Sequence, residues 1–229
     1  MLDARGLHTY YGQSHILFDV SLTLRKGEVV GLLGRNGAGK TTTMKSLCGI
    51  LRPKEGTLVF EGEEVTGQKP FQFVRRGICY VPDDRRIFAG LTVEDNLDIA
   101  YRRAGDWNRE RVYDLFPPLE EISRRRAGLL SGGERAMLAM GRALMSGPKL
   151  LLLDEPTEGL APLIVKSVEE QILRLKEAGI SILLSEQNLK SSLRLIDRAY
   201  IIDNGRIRYQ GTVKELENNE EIRKMHLMI

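Results

Sequence analysis

Cysteine is scarce in this sequence, whose 229 residues include only Cys48 and Cys79. Their spacing matches no metal-binding or redox motif. Both are expected to be small buried hydrophobic residues in a protein from a reducing compartment. The chemistry of this protein must therefore be sought in other residue types.

Long apolar runs are also missing. The longest, such as residues 150–153, have the length of a buried strand, whereas a helix needs about 20 apolar residues to cross a bilayer. The N-terminal stretch carries Asp3, Arg5 and His8 with no apolar segment after them, so no secretory signal is visible. If the protein serves a membrane process, it is expected to act from the cytoplasmic surface.

Charge is nearly balanced, and the net charge of +3 is too small to indicate a nucleic-acid partner. The middle of the chain is locally basic, with arginines at positions 102, 103, 109, 111 and 124–126. A solvated helical face is the favoured interpretation, and a contact surface for a partner subunit is the alternative. The composition, 42% hydrophobic and 28% charged, is typical of one compact domain over residues 1–229.

What the sequence does contain is an alternation of short apolar runs and amphipathic stretches. Helices are predicted from residue 40 to about 49, from residue 131, from Pro162 to Gly179, and as a short segment capped by Thr212 and Glu215. The alternation predicts a parallel sheet covered on both faces, with ligands at the carboxyl ends of its strands. Strands are predicted in the opening residues and at residues 20–24, 28–33, 57–61, 78–81, 150–153, 180–184, 200–203 and 206–210.

Strand signals cease between residue 83 and about residue 130, where Thr92 and Asp95 mark a helix start. Residues 83–146 are therefore predicted to form a helical subdomain, inserted into a core of residues 1–82 and 147–229. Functional residues are expected directly after the strands that end at Leu33, Val81, Leu153 and Leu184.

The first of these positions carries GRNGAGKT, residues 34–41, which matches the pattern GxxxxGK[ST]. Glycines let the backbone wrap so that its N–H groups converge on phosphate oxygens, and the following helix adds its positive end. Lys40 is expected to contact the terminal phosphates, and the Thr41 hydroxyl to ligate Mg²⁺. The nucleotide-binding residues predicted here are Gly34, Arg35, Asn36, Gly37, Ala38, Gly39, Lys40, Thr41 and Thr42.

Two adjacent acids, Asp154 and Glu155, follow the apolar run at residues 150–153. Asp154 is expected to hold Mg²⁺ through water, and Glu155 to polarise the attacking water as general base. Strands often end in polar residues, so this pair is informative only because a phosphate loop accompanies it.

The segment Leu130-Ser131-Gly132-Gly133-Glu134 begins another predicted helix, in which Ser131 and Glu134 form a capping box. A capping box does not explain two adjacent glycines, which destabilise a helix start unless something approaches the backbone closely. A capped helix end with bare glycines is typical of an anion site. Ser131, Gly132, Gly133 and Glu134 are therefore predicted to bind a second set of phosphates.

With these three motifs, the sequence resembles the ABC ATPase family over essentially its whole length. The resemblance implies an α/β fold: a P-loop NTPase (RecA-like) core with an N-terminal antiparallel β portion and an inserted α-helical subdomain. It also implies two subunits packed head to tail, in which the signature of one, residues 130–134, closes over the ATP of the other. Tyr11 matches the aromatic residue that stacks on adenine, and a tyrosine of the protein core is the alternative.

Residues 81–88, 155–162 and 186–188 look most like the LivF-type subunits of branched-chain amino-acid transporters. This implies an ATPase that energises an importer from the inner face of the cell membrane, with ATP and Mg²⁺ as cofactors. The implied partners are integral membrane permease subunits, a second ABC ATPase subunit and, indirectly, a periplasmic solute-binding protein. The second ATPase is expected to be a related, unlike chain, with a homodimer as the alternative. Closely similar subunits serve urea, amide and aromatic-acid importers.

Three residues depart from the general family pattern. Asp83 stands where a glutamine usually contacts Mg²⁺ and the attacking water, and its carboxylate can still ligate Mg²⁺. Gln187 stands where a histidine usually contacts the γ-phosphate; it keeps an N–H donor but cannot take a proton. Ala161 replaces an aspartate in the loop that crosses the dimer interface.

Despite these departures, hydrolysis is expected, with Glu155, Gln187 and Asp83 as the catalytic residues. One alternative is a nucleotide-dependent clamp that hydrolyses ATP poorly. Another is a soluble ABC ATPase of DNA repair or translation, which the single cassette and the lack of a heptad run disfavour.

Overall fold

The structure, a computed structural model, describes residues 1–102, 106–187 and 192–219. Within these ranges, no helix is both long and apolar enough to cross a membrane. The strands in chain order are β1 (Leu2–Tyr11), β2 (Ser14–Leu24), β3 (Val29–Leu33), β4 (Glu55–Phe60), β5 (Glu63–Glu64), β6 (Ile78–Val81), β7 (Leu150–Asp154), β8 (Ser181–Glu186), β9 (Arg198–Asp203) and β10 (Arg206–Thr212).

The helices lie mainly between β6 and β8. A 3₁₀ turn lies at Ala127–Leu129. In chain order they are α1 (Lys40–Leu47), α2 (Pro70–Arg76), α3 (Val93–Asp98), α4 (Arg109–Leu115), α5 (Pro117–Glu121), α6 (Gly132–Met145), α7 (Pro162–Glu177) and α8 (Val213–Asn218).

The strands form two sheets. A four-stranded sheet has the order β2-β1-β4-β5 and is antiparallel throughout. A six-stranded sheet has the order β10-β9-β3-β8-β7-β6, in which every pair is parallel except the hairpin of β9 and β10. The antiparallel N-terminal portion and the parallel core both confirm the predicted fold class.

Apolar side chains that point alternately to the two sides of the central sheet pack against the layers on both of its faces. Leu151 and Leu153 of β7 join a cluster with α3, α6 and α7, whereas Leu150 and Leu152 join one with α1 and the four-stranded sheet. All four leucines are 0% exposed, which explains why β7 is continuously apolar rather than alternating.

The central strands place their carboxyl ends along one edge. β3, β8, β7 and β6 are parallel neighbours, so the segments that follow Leu33, Glu186, Asp154 and Val81 meet there. The strand order thus brings together the four segments in which functional residues are predicted, while the roles of those residues stay predictions.

Residues 93–145 contain α3 to α6 and, within the part described, no strand apart from an isolated bridge between Thr92 and Arg126. Thr92 caps α3 as expected: its hydroxyl accepts from the Asp95 N–H at 3.1 Å. Helix α6 packs against α3, α7 and β6. The inserted helical segment therefore shares a core with the parallel sheet.

Helix α2 departs from the sequence expectations. It is not predicted above, although Pro70 in its first turn and Gly77 after its end, at φ 100°, are helix boundary signals.

The two cysteines agree with the sequence expectations. Cys48 and Cys79 are free and buried. Burial raises the pKa of both thiols to about 12.

Candidate active site

The loop between β3 and α1 has a backbone that tolerates little besides glycine at two positions. A Cβ at Gly34 would lie 2.4 Å from the carbonyl oxygen of Ile202. Gly39 has φ 112° and caps α1, and a Cβ there would lie 3.0 Å from Leu17. The loop is thus held tightly against β2 and β9. Its middle is open to solvent, because Arg35, Asn36 and Gly37 are exposed, whereas Ala38 and Thr42 are buried and Thr41 is half-buried.

Lys40, the first residue of α1, is folded back over this loop. Its Nζ donates to the carbonyl oxygens of Gly34 and Arg35 at 2.8 and 3.0 Å. The same Nζ lies 2.9 Å from Oε1 of Glu155, and the two side chains are only 3% and 10% exposed. The predicted phosphate-binding lysine and the predicted general base are therefore a buried ion pair.

Asp154 is the last residue of β7 and is 1% exposed. Its Oδ1 accepts from the Ser185 hydroxyl at 2.5 Å and its Oδ2 from the Tyr80 hydroxyl at 2.8 Å. Burial raises the pKa of Asp154, while hydrogen bonds from Ser185, Tyr80 and Thr41 act against that rise. Thr41 and Asp154, two of the residues predicted to serve Mg²⁺, therefore lie close together.

Glu155 leaves the strand with a strained backbone, at φ 45°. Its N–H donates to Ser185, with 3.0 Å to the hydroxyl and 3.1 Å to the carbonyl oxygen. This turn directs the chain away from the sheet and brings the carboxylate to Lys40. Glu158 lies one turn on, and the Glu155 carboxyl group beside it raises the pKa of Glu158.

Asp83 and Gln187 occupy the neighbouring strand ends and are both exposed. Asp83 follows β6, accepts from the Asp84 N–H at 2.9 Å, and its charge raises the pKa of Asp154. Gln187 directly follows β8. Both therefore border the cluster of Lys40, Asp154 and Glu155 without belonging to its buried part. Asn188 lies outside the described residues.

Glu186, the last residue of β8, was not among the predicted site residues. It is 4% exposed and its Oε1 accepts from the Thr157 hydroxyl at 2.8 Å. Burial raises the pKa of Glu186 to about 7, and the nearby Glu155 charge adds to the rise. An acid at the end of a buried strand was the available signal, the same one that singled out Asp154.

The signature residues lie at the start of α6 and form the predicted capping box. The Glu134 N–H donates to the Ser131 hydroxyl at 3.3 Å, and the Ser131 N–H donates to Glu134 Oε2 at 2.6 Å. Arg125 adds an ion pair to Glu134 at 3.3 Å.

The two glycines of the signature are explained by packing within the chain. A Cβ at Gly132 would lie 2.6 Å from Leu160, and one at Gly133 would lie 2.5 Å from Ile164. The start of α7 is therefore what approaches this backbone closely. The glycines by themselves no longer argue for an anion site, so phosphate binding by residues 131–134 stays a prediction carried by the family resemblance.

Tyr11 ends β1 and is followed by Gly12 at φ 59°. Its side chain is not part of the core, because the residue is 44% exposed. The alternative of a core tyrosine is therefore wrong. Stacking on adenine stays a prediction.

The comparisons with known proteins bear on this arrangement directly. Residues 17–158 match the family described as ABC transporter, a range that contains the loop at 34–41, Asp83, the signature, Asp154 and Glu155. The chain belongs to the ABC transporter ATP-binding family. An ATP-binding cassette of this family binds nucleotide and is an ATPase.

Similar proteins span the whole chain. A high-affinity branched-chain amino acid transport ATP-binding protein, BraG of Pseudomonas aeruginosa, is 45% identical over 99% of both chains. A probable branched-chain amino acid transport ATP-binding protein, LivF of Archaeoglobus fulgidus, is 39% identical over 98% of both. The lipopolysaccharide export ATP-binding protein LptB of Escherichia coli is 35% identical over 99% of this chain and 96% of its own.

Two solved cassettes have the same fold. A nucleotide-free ATP-binding cassette of an ABC transporter is 30% identical, with a TM-score of 0.84 over 95% of this chain and 94% of its own. A cassette solved in its ADP conformation is 28% identical, with a TM-score of 0.83 over 98% of this chain and 97% of its own. The P-loop cassette architecture is thus confirmed.

Proposed function

We propose that this cassette binds and hydrolyses ATP to energise a high-affinity importer of branched-chain amino acids. The observation that carries the catalytic part is the meeting of Lys40, Asp154 and Glu155 at the edge of the parallel sheet. The solute rests on the relatives that share 45% and 39% identity with the whole chain.

Lys40 has two alternative anionic partners in this proposal. Its ammonium now neutralises Glu155 in a buried contact of 2.9 Å. The β- and γ-phosphates of ATP, held by N–H groups of the loop 34–41 and the N-terminus of α1, compete for the same ammonium. Transfer of Lys40 to the phosphates releases Glu155, which can then orient and deprotonate a water molecule.

The donor set fits Mg²⁺, which prefers oxygen ligands and commonly binds through one or two carboxylates together with substrate phosphates. Thr41 supplies a hydroxyl beside the buried Asp154, and Asp83 adds an exposed carboxylate at the next strand end. When bound, Mg²⁺ neutralises charge on the phosphates. Gln187 contributes an N–H donor toward the terminal phosphate, and Glu155 remains the base because an amide cannot take a proton.

A second ATPase subunit completes the site. We assign Ser131, Gly132, Gly133 and Glu134 to the ATP held by that partner, and Tyr11 to the adenine of this chain's own ATP. Exposed apolar residues support an interface near the signature, because Leu129 and Leu163 are 75% and 80% exposed. The partner is a related, unlike chain, and a homodimer is the alternative that the experiment below distinguishes.

A groove beside the loop after β6 supports docking of a permease subunit. Its volume is about 420 Å³ and it lies between β6, α3 and α6. Exposed apolar side chains surround it, namely Val74, Phe88 and Ile99. The groove suits a short cytoplasmic helix of an integral membrane subunit. Such docking is part of the proposal that the cassette acts at the inner face of the cell membrane, with a periplasmic solute-binding protein as an indirect partner.

A second candidate function is a nucleotide-dependent clamp that rarely hydrolyses ATP. Asp83 and Gln187 favour it, since each replaces the usual family residue near the phosphates. Turnover separates the two candidates.

The test is Mg-ATP hydrolysis by the purified chain over a range of protein concentrations. Glu155→Gln is the inactive variant, and Glu177→Gln, at the exposed end of α7, is its matched control. We expect a rate that rises faster than linearly with concentration if identical chains pair, and a loss of at least about a hundredfold in Glu155→Gln only. Equal activity in Glu155→Gln and the wild type would contradict the role of Glu155.

If the chain alone binds ATP without turnover, addition of the unlike subunit and the permease decides between the candidates. Turnover on addition supports the importer with an unlike partner. Continued absence of turnover supports the clamp.

A further inference from the structure

Both carboxylate oxygens of Asp154 accept hydrogen bonds from hydroxyl groups of this chain. Ser185 donates to Oδ1 at 2.5 Å and Tyr80 donates to Oδ2 at 2.8 Å. Asp154 is 1% exposed, and a buried ionised carboxylate is stable only when such donors replace water. Its orientation is therefore determined by two neighbouring strands, one on each side.

The strand register explains the contact with Tyr80. Tyr80 of β6 is paired with Leu152 of β7, so Asp154, two residues further on, points to the same face of the sheet. On the other side, Asp154 is paired with Ser185 of β8. The face concerned also packs α1, the helix that carries Thr41.

In this contact the Tyr80 hydroxyl is the donor and the Asp154 carboxylate is the acceptor.

A buried tyrosine often needs an acceptor merely to satisfy its hydroxyl group. Tyr200 is such a case in this molecule: it is 2% exposed, and its hydroxyl contacts the N–H and hydroxyl of Thr23 at 3.0 and 3.3 Å, on another strand and with no carboxylate. Tyr80 differs because its acceptor is the acid at the Mg²⁺ position.

We propose that Tyr80 is a positioning residue for Mg²⁺, which fixes the Asp154 carboxylate through Oδ2 while Ser185 fixes it through Oδ1. The inference rests on the proposed function, since it takes Asp154 as the carboxylate that serves the metal. Groups that orient a metal-binding carboxylate typically change metal affinity by 10- to 100-fold when removed. Tyr80 has no contact with the nucleotide in this assignment, so its effect passes through Asp154 alone.

The test uses Tyr80→Phe, which removes a single oxygen atom, with Tyr200→Phe as the matched control. Binding of a fluorescent, non-hydrolysable ATP analogue is measured first without Mg²⁺ and then during a Mg²⁺ titration. We expect equal affinities without the metal in all three proteins. The Mg²⁺ concentration that gives half of the maximal change in analogue binding should rise about tenfold in Tyr80→Phe and stay unchanged in Tyr200→Phe.

The outcomes separate the two proposals. If wild-type affinity does not respond to Mg²⁺, the assignment of Asp154 fails and takes this inference with it. If the wild type responds and Tyr80→Phe gives the same titration, only the role of Tyr80 is overturned. Tyr80→Met repeats the test if Tyr80→Phe is unfolded in a thermal melt. In an Asp154→Asn background, Tyr80→Phe should have no further effect, and an undiminished effect there would also overturn the proposal.

Discussion

The two predicted phosphate-binding regions of this cassette are built in opposite ways, one buried and one partly exposed. At the strand ends, Lys40, Asp154 and Glu155 are 3%, 1% and 8% exposed and contact each other or their neighbours. At the start of α6, Ser131 is exposed, and the capping box uses its hydrogen-bonding groups locally. The first region joins its charged groups to one another within the chain. The second has an exposed, capped helix end, and we propose that it faces a partner subunit.

The largest predicted effect tests the buried ion pair of Lys40 and Glu155. Lys40→Met leaves Glu155 without its partner, and removal of one member of a buried pair costs about 3–5 kcal/mol of unfolding free energy. The double variant Lys40→Met/Glu155→Gln should recover most of that loss, because it leaves no unpaired charge. Urea denaturation measures all three.

A surface pair of the helical segment is the matched control for this cycle. Arg109 and Glu94 are 43% and 39% exposed at 3.2 Å, so Arg109→Ala should cost less than about 1 kcal/mol. Equal losses of unfolding free energy at the two pairs would contradict the view that burial makes the loss of one partner more costly at Lys40 and Glu155 than at the surface.

A second prediction concerns the pH dependence of stability that the buried acid Glu186 gives to the strand-end region. Because its pKa is raised to about 7, the folded protein binds more protons than the unfolded chain between the unfolded pKa and pH 7. The stabilising contribution of Glu186 to the free energy of unfolding is therefore complete below the unfolded pKa and is lost as the pH rises through 7. The wild type should therefore lose about 3 kcal/mol more than Glu186→Gln between pH 4.5 and 8. Parallel stability curves for the two proteins would contradict the buried state of this acid.

The smallest of these effects concerns the signature glycines. Gly133→Ala places a Cβ 2.5 Å from Ile164, and overpacking of this kind costs about 1–3 kcal/mol. Ile164→Ala in the same chain should show a smaller loss from Gly133→Ala, because alanine lacks the γ-methyl group that the new Cβ would meet. Thermal melts of the single and double variants give the coupling free energy between positions 133 and 164. An additive result would show that α7 does not impose glycine on the signature.

Local patterns predicted much of this molecule because their causes are local. The strand at 78–81 and the helix starts at Thr92, Ser131 and Thr212 follow from burial and from capping boxes spanning four residues. The glycine loop was readable for the same reason.

Contacts that depend on strand order were not readable from the chain. Tyr80 meets Asp154 across 74 positions, and Ser185 meets it across 31, through a register that no local pattern encodes. The packing around the signature glycines was not predicted for a similar reason, since Leu160 and Ile164 approach them from another segment. Helix α2 was missed although its boundary signals were present.

The most direct test of the account compares Lys40→Ala with Ser131→Ala in nucleotide binding by the single chain. The affinity for a non-hydrolysable ATP analogue is measured at concentrations where size-exclusion chromatography finds a monomer. The account predicts a loss of at least about a hundredfold in Lys40→Ala, roughly the value of a charged contact to phosphate in a buried site, and no change in Ser131→Ala. A comparable loss in both variants would place the signature at this chain's own nucleotide, and no loss in Lys40→Ala would remove the phosphate loop from the site.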